Sequence, residues 1–247
     1  MKKGLTILSL ILLMQGCAAS QANRDKAMIH YQLGVSYLNE GDSTSALREL
    51  LEAEKLYKDD PRLFNALGLS YLKKGEIDLS MQQFKKALEL DPKFSEARNN
   101  LGIIYLEKKM WENAIEELTK ASADLLYSTP EYSYTNMGWA YFKKGDPIKA
   151  IDSYKKAIEK NSRYPKAYHD LGLVYFSLDK PENAVNEYKT AIRLFPNYID
   201  AHYDLGLAYI KLNKKSHAQE AFKEVVRIAP DTEISRNAQD YIDLLVK

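Results

Sequence analysis

A single cysteine, Cys17, stands in 247 residues, which excludes an intramolecular disulfide framework and a cysteine-rich metal site. Glycine is sparse, at 11, and no Walker-type phosphate loop or Gly-x-Ser-x-Gly elbow occurs, so the common nucleotide-binding and acyl-transfer signatures are missing. Neither sign of charge prevails: 35 Lys plus Arg face 34 Asp plus Glu, which leaves no bulk electrostatic attraction to nucleic acid or anionic lipid. The four histidines (His30, His169, His202, His217) form no i, i+4 pair of the helical zinc type. Carboxylate pairs such as Glu116-Glu117 read as solvated faces. The lysine pairs Lys73-Lys74, Lys108-Lys109 and Lys143-Lys144 stand at expected helix ends, where positive charge complements the dipole. These absences predict no catalytic residue, no metal and no cofactor; the protein is expected to be no enzyme and to act through its surface.

A long hydrophobic run is missing as well. The one strongly apolar stretch, Leu5 to Met14, has ten residues, about half the ~20 that a membrane helix needs. Lys2 and Lys3 precede it and small residues follow, the layout of an export signal over residues 1–16. A buried core helix would leave the basic start and the polar Ser20–Lys26 segment unexplained. The sequence Leu13-Met14-Gln15-Gly16-Cys17 resembles the bacterial lipoprotein box, with Met14 where Leu is most common. The resemblance implies a covalent lipid (palmitate among the acyl chains) on Cys17 as the new N-terminus. With Ala18 following, it further implies sorting to the outer membrane of a Gram-negative bacterium, facing the periplasm. Each buried CH₂ contributes about 0.8 kcal/mol, so two or more chains anchor stably without spanning. Residues 17–26 would form a short lipidated tether, reaching at most about 30 Å at ~3.5 Å per residue.

What the chain does contain is a ruler. Leu-Gly or Met-Gly pairs place glycines at 34, 68, 102, 138, 172 and 206, at intervals of 34, 34, 36, 34 and 34. A tyrosine follows three residues after each glycine (Tyr37, Tyr71, Tyr105, Tyr141, Tyr175, Tyr209). Twelve after each glycine stands a small residue, and four further on a large one: Leu50, Phe84, Leu118, Tyr154, Tyr188, Phe222. Apolar spacings of three and four within each unit predict two amphipathic helices. A glycine inside a helix costs about 1 kcal/mol relative to alanine, so each one asks for close helix approach as its reason. Gly41, Gly75 and Gly145, seven residues on, suit left-handed helix ends, and Asp179 and Asn213 tolerate the same conformation. Lys109 stands at the remaining such place with no sequence-level reason.

These residues resemble the tetratricopeptide repeat. The resemblance implies an all-α, right-handed superhelical solenoid of six repeats over residues 27–230 (about 27–60, 61–94, 95–130, 131–164, 165–198 and 199–232) with a capping helix over 233–247. It implies that the first helices line a groove for a protein segment. The groove residues expected on this basis are Asn65, Asn99, Ile103, Trp139, Phe142, His169, Leu173 and Phe176. Asn65, Asn99, Thr135 and His169 would hydrogen-bond a peptide backbone, and Trp139 would form a hot spot with Phe142 and Phe176. Two readings stand for the aliphatic members: groove floor, or packing between repeats. Tyr31 and Val35 occupy the places where a carboxylate-clamping groove has Lys and Asn, which argues against a C-terminal carboxylate as ligand.

The 36-residue interval holds Leu125, Leu126, Tyr127 and Pro130. It is either a neutral loop insertion or a joint that shifts superhelical phase and brings Tyr127 and Tyr132 near Trp139. "YSTP" followed by "YTNMGWAYFKKGD", in a six-repeat lipoprotein, resembles the type IV pilus pilotin family, the pilus biogenesis/stability lipoproteins. That resemblance implies binding of pilus secretin subunits, or other pilus and envelope proteins, and help with their localisation or assembly. The alternative is a general periplasmic adaptor for cell-wall hydrolases or other envelope complexes. No nucleic-acid partner is expected.

Overall fold

A computed structural model describes the backbone of residues 2–246, with side chains described from residue 21. Among the described residues there are thirteen α-helices and no strand. They are α1 (Lys2–Glu40), α2 (Ser43–Leu56), α3 (Pro61–Lys73), α4 (Ile77–Leu90), α5 (Ser95–Glu107), α6 (Trp111–Ser122), α7 (Pro130–Lys144), α8 (Pro147–Lys160), α9 (Pro165–Ser177), α10 (Pro181–Leu194), α11 (Ile199–Lys211), α12 (Lys215–Ile228) and α13 (Glu233–Val246). The chain forms two compact units, Met1–Ile104 and Tyr105–Lys247. The Cys17 side chain and those of the apolar run Leu5–Met14 lie outside the described side chains. Residues 17–26, expected as a tether, continue as part of α1. Among the described residues no helix is long and apolar enough to cross a membrane.

The core of the first unit gathers Leu50, Phe64, Leu67 and the alanines Ala46, Ala53, Ala87 and Ala97. That of the second unit centres on Tyr188, Leu205, Phe222, Val225 and Ile242, with Tyr154, Leu171 and Val174 in an adjoining cluster. The ruler glycines explain how the helices of a pair meet. A Cβ on Gly172 would lie 2.5 Å from the Tyr188 ring, and on Gly68 2.5 Å from Phe84, distances that no real Cβ keeps. Only a hydrogen atom lets α9 approach α10, or α3 approach α4, this closely, which accounts for the helical cost of glycine.

The turns inside the pairs share one geometry. Gly41, Gly75, Lys109, Gly145, Asp179 and Asn213 all have positive φ, between 54° and 89°. The following N–H reaches back to the carbonyl of the ruler tyrosine, from Tyr37 to Tyr209, at 2.8–3.0 Å. This is the Schellman arrangement, and it satisfies carbonyls that the helix end would otherwise leave open. Lys109, without a reason in the sequence, has one here: its φ of 57° is imposed by the Met110 N–H to Tyr105 carbonyl bond, 2.8 Å long. At the other ends, Asp42 caps α2 through the N–H groups of Thr44 and Ser45, and Asp146 caps α8 through that of Lys149.

The irregular interval shows as a shortened α6 and a seven-residue connection, Ala123 to Thr129, before Pro130 opens α7. Asp124 Oδ1 accepts the Leu126 N–H at 2.9 Å, an Asx turn that sets the loop. Leu125 and Leu126 are left 97% and 92% exposed, while Tyr127 is buried.

Two expectations follow. Lys109→Gly removes the left-handed strain and should raise stability by about 1 kcal/mol, read from chemical denaturation midpoints. The Tyr154 hydroxyl is buried with no hydrogen-bond partner. Tyr154→Phe should therefore leave the denaturation midpoint unchanged or raise stability by up to about 1 kcal/mol, against the usual loss for a core substitution.

Candidate functional site

The first helices of consecutive repeats lie side by side within the second unit, α7 against α9 and α9 against α11. A position three before one ruler glycine then meets the position two before the next, 35 residues on. In the first unit this pair is Asn65 and Asn100: Asn100 Nδ2 donates to Asn65 Oδ1 at 2.9 Å. In the second it is His169 and Asp204, with His169 Nε2 and Asp204 Oδ2 2.7 Å apart. The other ring nitrogen of His169 lies 3.2 Å from Asp170 Oδ1, and Lys166 Nζ donates to Asp170 Oδ2 at 2.7 Å. The result is a chain of alternating charge, buried at His169 and Asp170 and open to solvent at Lys166, linking α9 to α11. Burial pulls the His169 pKa down, but hydrogen bonds to Asp170 and Asp204, and the charge of both carboxylates, outweigh it and raise the pKa from 6.5 to about 9. At neutral pH the imidazole is a cation, donating from both nitrogens.

One repeat earlier the corresponding pair is Thr135 and Asp170. Here the bridge is not made: Thr135 Oγ1 is buried without a hydrogen-bond partner, and the residue is 1% exposed. Thr135 lines a cavity of about 280 Å³ together with Trp139 and Asn136 of α7, Lys166, His169, Asp170 and Leu173 of α9, and Tyr198 and Asp200 at the start of α11. Trp139 is half-buried, its ring 6.0 Å from Phe142, and the Lys143 ammonium stands 4.4 Å from the indole centroid. Phe176 is half-buried with Lys211 Nζ 4.9 Å from its ring. Leu173 and Phe176 also pack against the C-terminal core, so partial burial and partial exposure coexist in the stripe.

Of the sequence-predicted groove residues, the structure brings Trp139, His169 and Leu173 to this one cavity, with Phe142 beside Trp139. Asn65, Asn99 and Ile103 belong to the first unit. Asn65 spends its carbonyl on Asn100, and Asn99 is buried. His169 was expected to bond a peptide backbone; both its ring nitrogens are already engaged, so it builds the wall instead. Tyr132, expected near Trp139, packs its ring edge-on against Tyr164 at 5.2 Å. Sequence reasoning missed Lys166, Asp170, Tyr198, Asp200 and Asp204. The 35-residue offset between His169 and Asp204, one more than the repeat, is the signal that would have found the bridge. The first unit has its own larger cavity, about 650 Å³, with Tyr31, Tyr57 and Phe94 in its wall. There Arg24 Nη2 donates to the Tyr57 hydroxyl at 2.6 Å, and Arg62 grips Asp60 with two nitrogens. Among the described residues no group of His, Cys, Asp and Glu side chains is placed to hold a metal ion.

Family models for the tetratricopeptide repeat match residues 70–109, 138–179, 173–213 and 199–232. The chain belongs to the tetratricopeptide repeat family. Its repeats are similar to those of MamA, at 32% identity over 66% of this chain and 94% of MamA, with a TM-score of 0.57. The fold is also that of PilF of Pseudomonas aeruginosa (20% identity, 89% of this chain and 99% of PilF, TM-score 0.76). PilW, a type IV pilus biogenesis factor, shares it too, at 20% identity over 86% of this chain and 98% of PilW, with a TM-score of 0.80. Comparison with curated proteins finds no match. The described residues of this tetratricopeptide repeat protein are all-α, as the family's helix pairs require.

The raised His169 pKa carries a sign. Protonation favours the folded state, so the contribution is complete below the ordinary value of 6.5 and is lost as pH rises through about 9. The loss should be on the order of 2–3 kcal/mol, read as a fall in thermal midpoint between these pH values, and His169→Gln should flatten that part of the profile.

Proposed function

We propose that this protein is a membrane-anchored, protein-binding scaffold of type IV pilus biogenesis: an outer-membrane lipoprotein, facing the periplasm, that assists localisation or assembly of the pilus secretin. The observation that carries the reading is the fold likeness to PilW, a type IV pilus biogenesis factor, over 98% of its length. The lipoprotein box at Cys17 and the polar-walled, apolar-floored cavity at Trp139 support it. A cavity of this size suits one side chain of a protein partner; sites for whole small molecules run to about 300–1,000 Å³.

Anchoring and recognition then act together. Acyl chains on Cys17 hold the array at the bilayer surface. Because residues 17–26 lie within α1, they add only about 15 Å at ~1.5 Å per residue, half of what an extended tether would add. Such confinement raises the effective concentration of a client at the membrane without any new contact. Client selection falls to the repeat surface, since the near-zero net charge supplies no long-range attraction.

Three measurements on one deletion strain test this reading. Loss of the gene should abolish heat-resistant secretin multimers and surface pili, and the wild-type gene should restore both. Cys17→Ala should lose palmitate labelling and membrane fractionation. Trp139→Ala should lower secretin capture at least tenfold with helicity unchanged, the size expected for an aromatic hot spot of about 2 kcal/mol. Normal multimers and pili in the deletion strain would refute the pilotin role.

A further inference from the structure

The cavity between α7, α9 and the start of α11 is unusual in what it leaves unpaired. Its two cations are both engaged: Lys166 with Asp170, and His169 with Asp170 and Asp204. Asp200, exposed in the first turn of α11, has no ion-pair or hydrogen-bond partner among the described residues. Of the two carboxylates in the lining, Asp170 is paired and Asp200 is the one left without a counter-charge. A second, independent feature points the same way. Thr135, which lines the cavity, occupies the repeat position that at Asn65 and His169 bridges to the next first helix, yet its hydroxyl is buried without a hydrogen-bond partner among the described residues. Leaving such a group unpaired carries a desolvation cost that a guest offering a hydrogen bond would recover. Asn136 and Tyr198 join the apolar Trp139 and Leu173 in the rest of the wall, and an indole face attracts cations, as the ammonium of Lys143 shows from its place outside the cavity.

The geometry points to a binding site for one basic side chain, lysine or arginine, of the protein client: its aliphatic stem against Trp139 and Leu173, its charged head at Asp200 and Thr135 Oγ1. The inference rests on the proposal that this surface binds protein, and it names the chemistry the surface selects. An acidic guest would meet Asp200 and find Lys166 and His169 already paired, with the exposed Lys143 ammonium lying outside the cavity. A neutral aliphatic guest would fill the floor but leave Thr135 and Asp200 as they are, so it should bind more weakly. One head group answering both unpaired atoms is what distinguishes the basic side chain from either.

The test uses the full chain in a mild non-ionic detergent, carrying Trp111→Phe so that Trp139 is the only tryptophan and can be excited selectively over the tyrosines. Four blocked pentapeptides, Ac-Gly-Ala-Xaa-Ala-Gly-NH2 with Xaa as lysine, arginine, norleucine or glutamate, are titrated while Trp139 emission is followed. The lysine and arginine peptides should bind at least about tenfold more tightly than the norleucine peptide, the size of one charge-assisted hydrogen bond. Asp200→Asn and Thr135→Val should each remove most of that preference while far-UV circular dichroism stays unchanged. Equal binding of all four peptides, tighter binding of glutamate, or an unaltered lysine preference in Asp200→Asn would overturn the basic-side-chain assignment while the protein-binding surface stands. No change in Trp139 emission with any peptide at millimolar concentration would overturn both.

Discussion

Between the two helices of five of the repeats there is room for one large side chain against bare backbone. Gly34, Gly68, Gly138, Gly172 and Gly206 stand where a Cβ would fall 2.5–2.8 Å from Leu50, Phe84, Tyr154, Tyr188 or Phe222. The depth of that contact sets the rest of the repeat. It seats the second helix so that its small residue can also lie against the first, as Ala150 and Ala184 do when fully buried. Where serine replaces alanine, Ser80 Oγ donates to the carbonyl of Gly68 at 2.8 Å, so the polar atom is satisfied inside the contact it would otherwise disturb. Interiors packed to this density respond to single atoms, which is why the pattern tolerates leucine, phenylalanine or tyrosine at the large place but no side chain at the glycine.

Each pair must also reverse direction in very few residues. The left-handed turn after the first helix does so while returning two N–H groups to the helix end, and the bonds recur at nearly the same length in all six pairs. Glycine meets that conformation without cost at three of the places, and Asp179 and Asn213 at modest cost. At Lys109 the backbone bonds prevail over the local preference of the side chain, an example of tertiary context overriding propensity.

The same scaffold carries a less regular cargo. Neighbouring first helices are joined through a pair of positions 35 residues apart, filled by two asparagines in the first unit and by a histidine and an aspartate in the second. Neutral and ionic versions of one bridge are geometrically equivalent but not energetically so. Burying His169 requires Asp170 and Asp204 to stay charged around it, and Asp170 in turn draws in Lys166. That network engages Lys166 and His169 in the wall of the Trp139 cavity and leaves Asp200 as the lining carboxylate without an ion-pair partner. The recognition chemistry proposed for this surface comes from that unpaired carboxylate and from the Thr135 hydroxyl.

Repeat number, helix pairing, the need for glycine at the close contacts and the turn positions were legible in the sequence, because each depends on neighbours along the chain and recurs six times. Trp139, Leu173 and Phe176 were legible as a half-buried stripe for the same reason. The partners of His169, the idle hydroxyl of Thr135 and the isolation of Asp200 were not, since each depends on which side chains come within hydrogen-bonding distance in space, and periodicity is silent about that. Lys109 stood unexplained until its backbone bonds were seen. Short-range periodic constraint thus determined the architecture from sequence alone. Only packing between successive repeats decided which polar groups pair and which are left facing the cavity, because hydrogen-bond satisfaction is a property of three-dimensional neighbours.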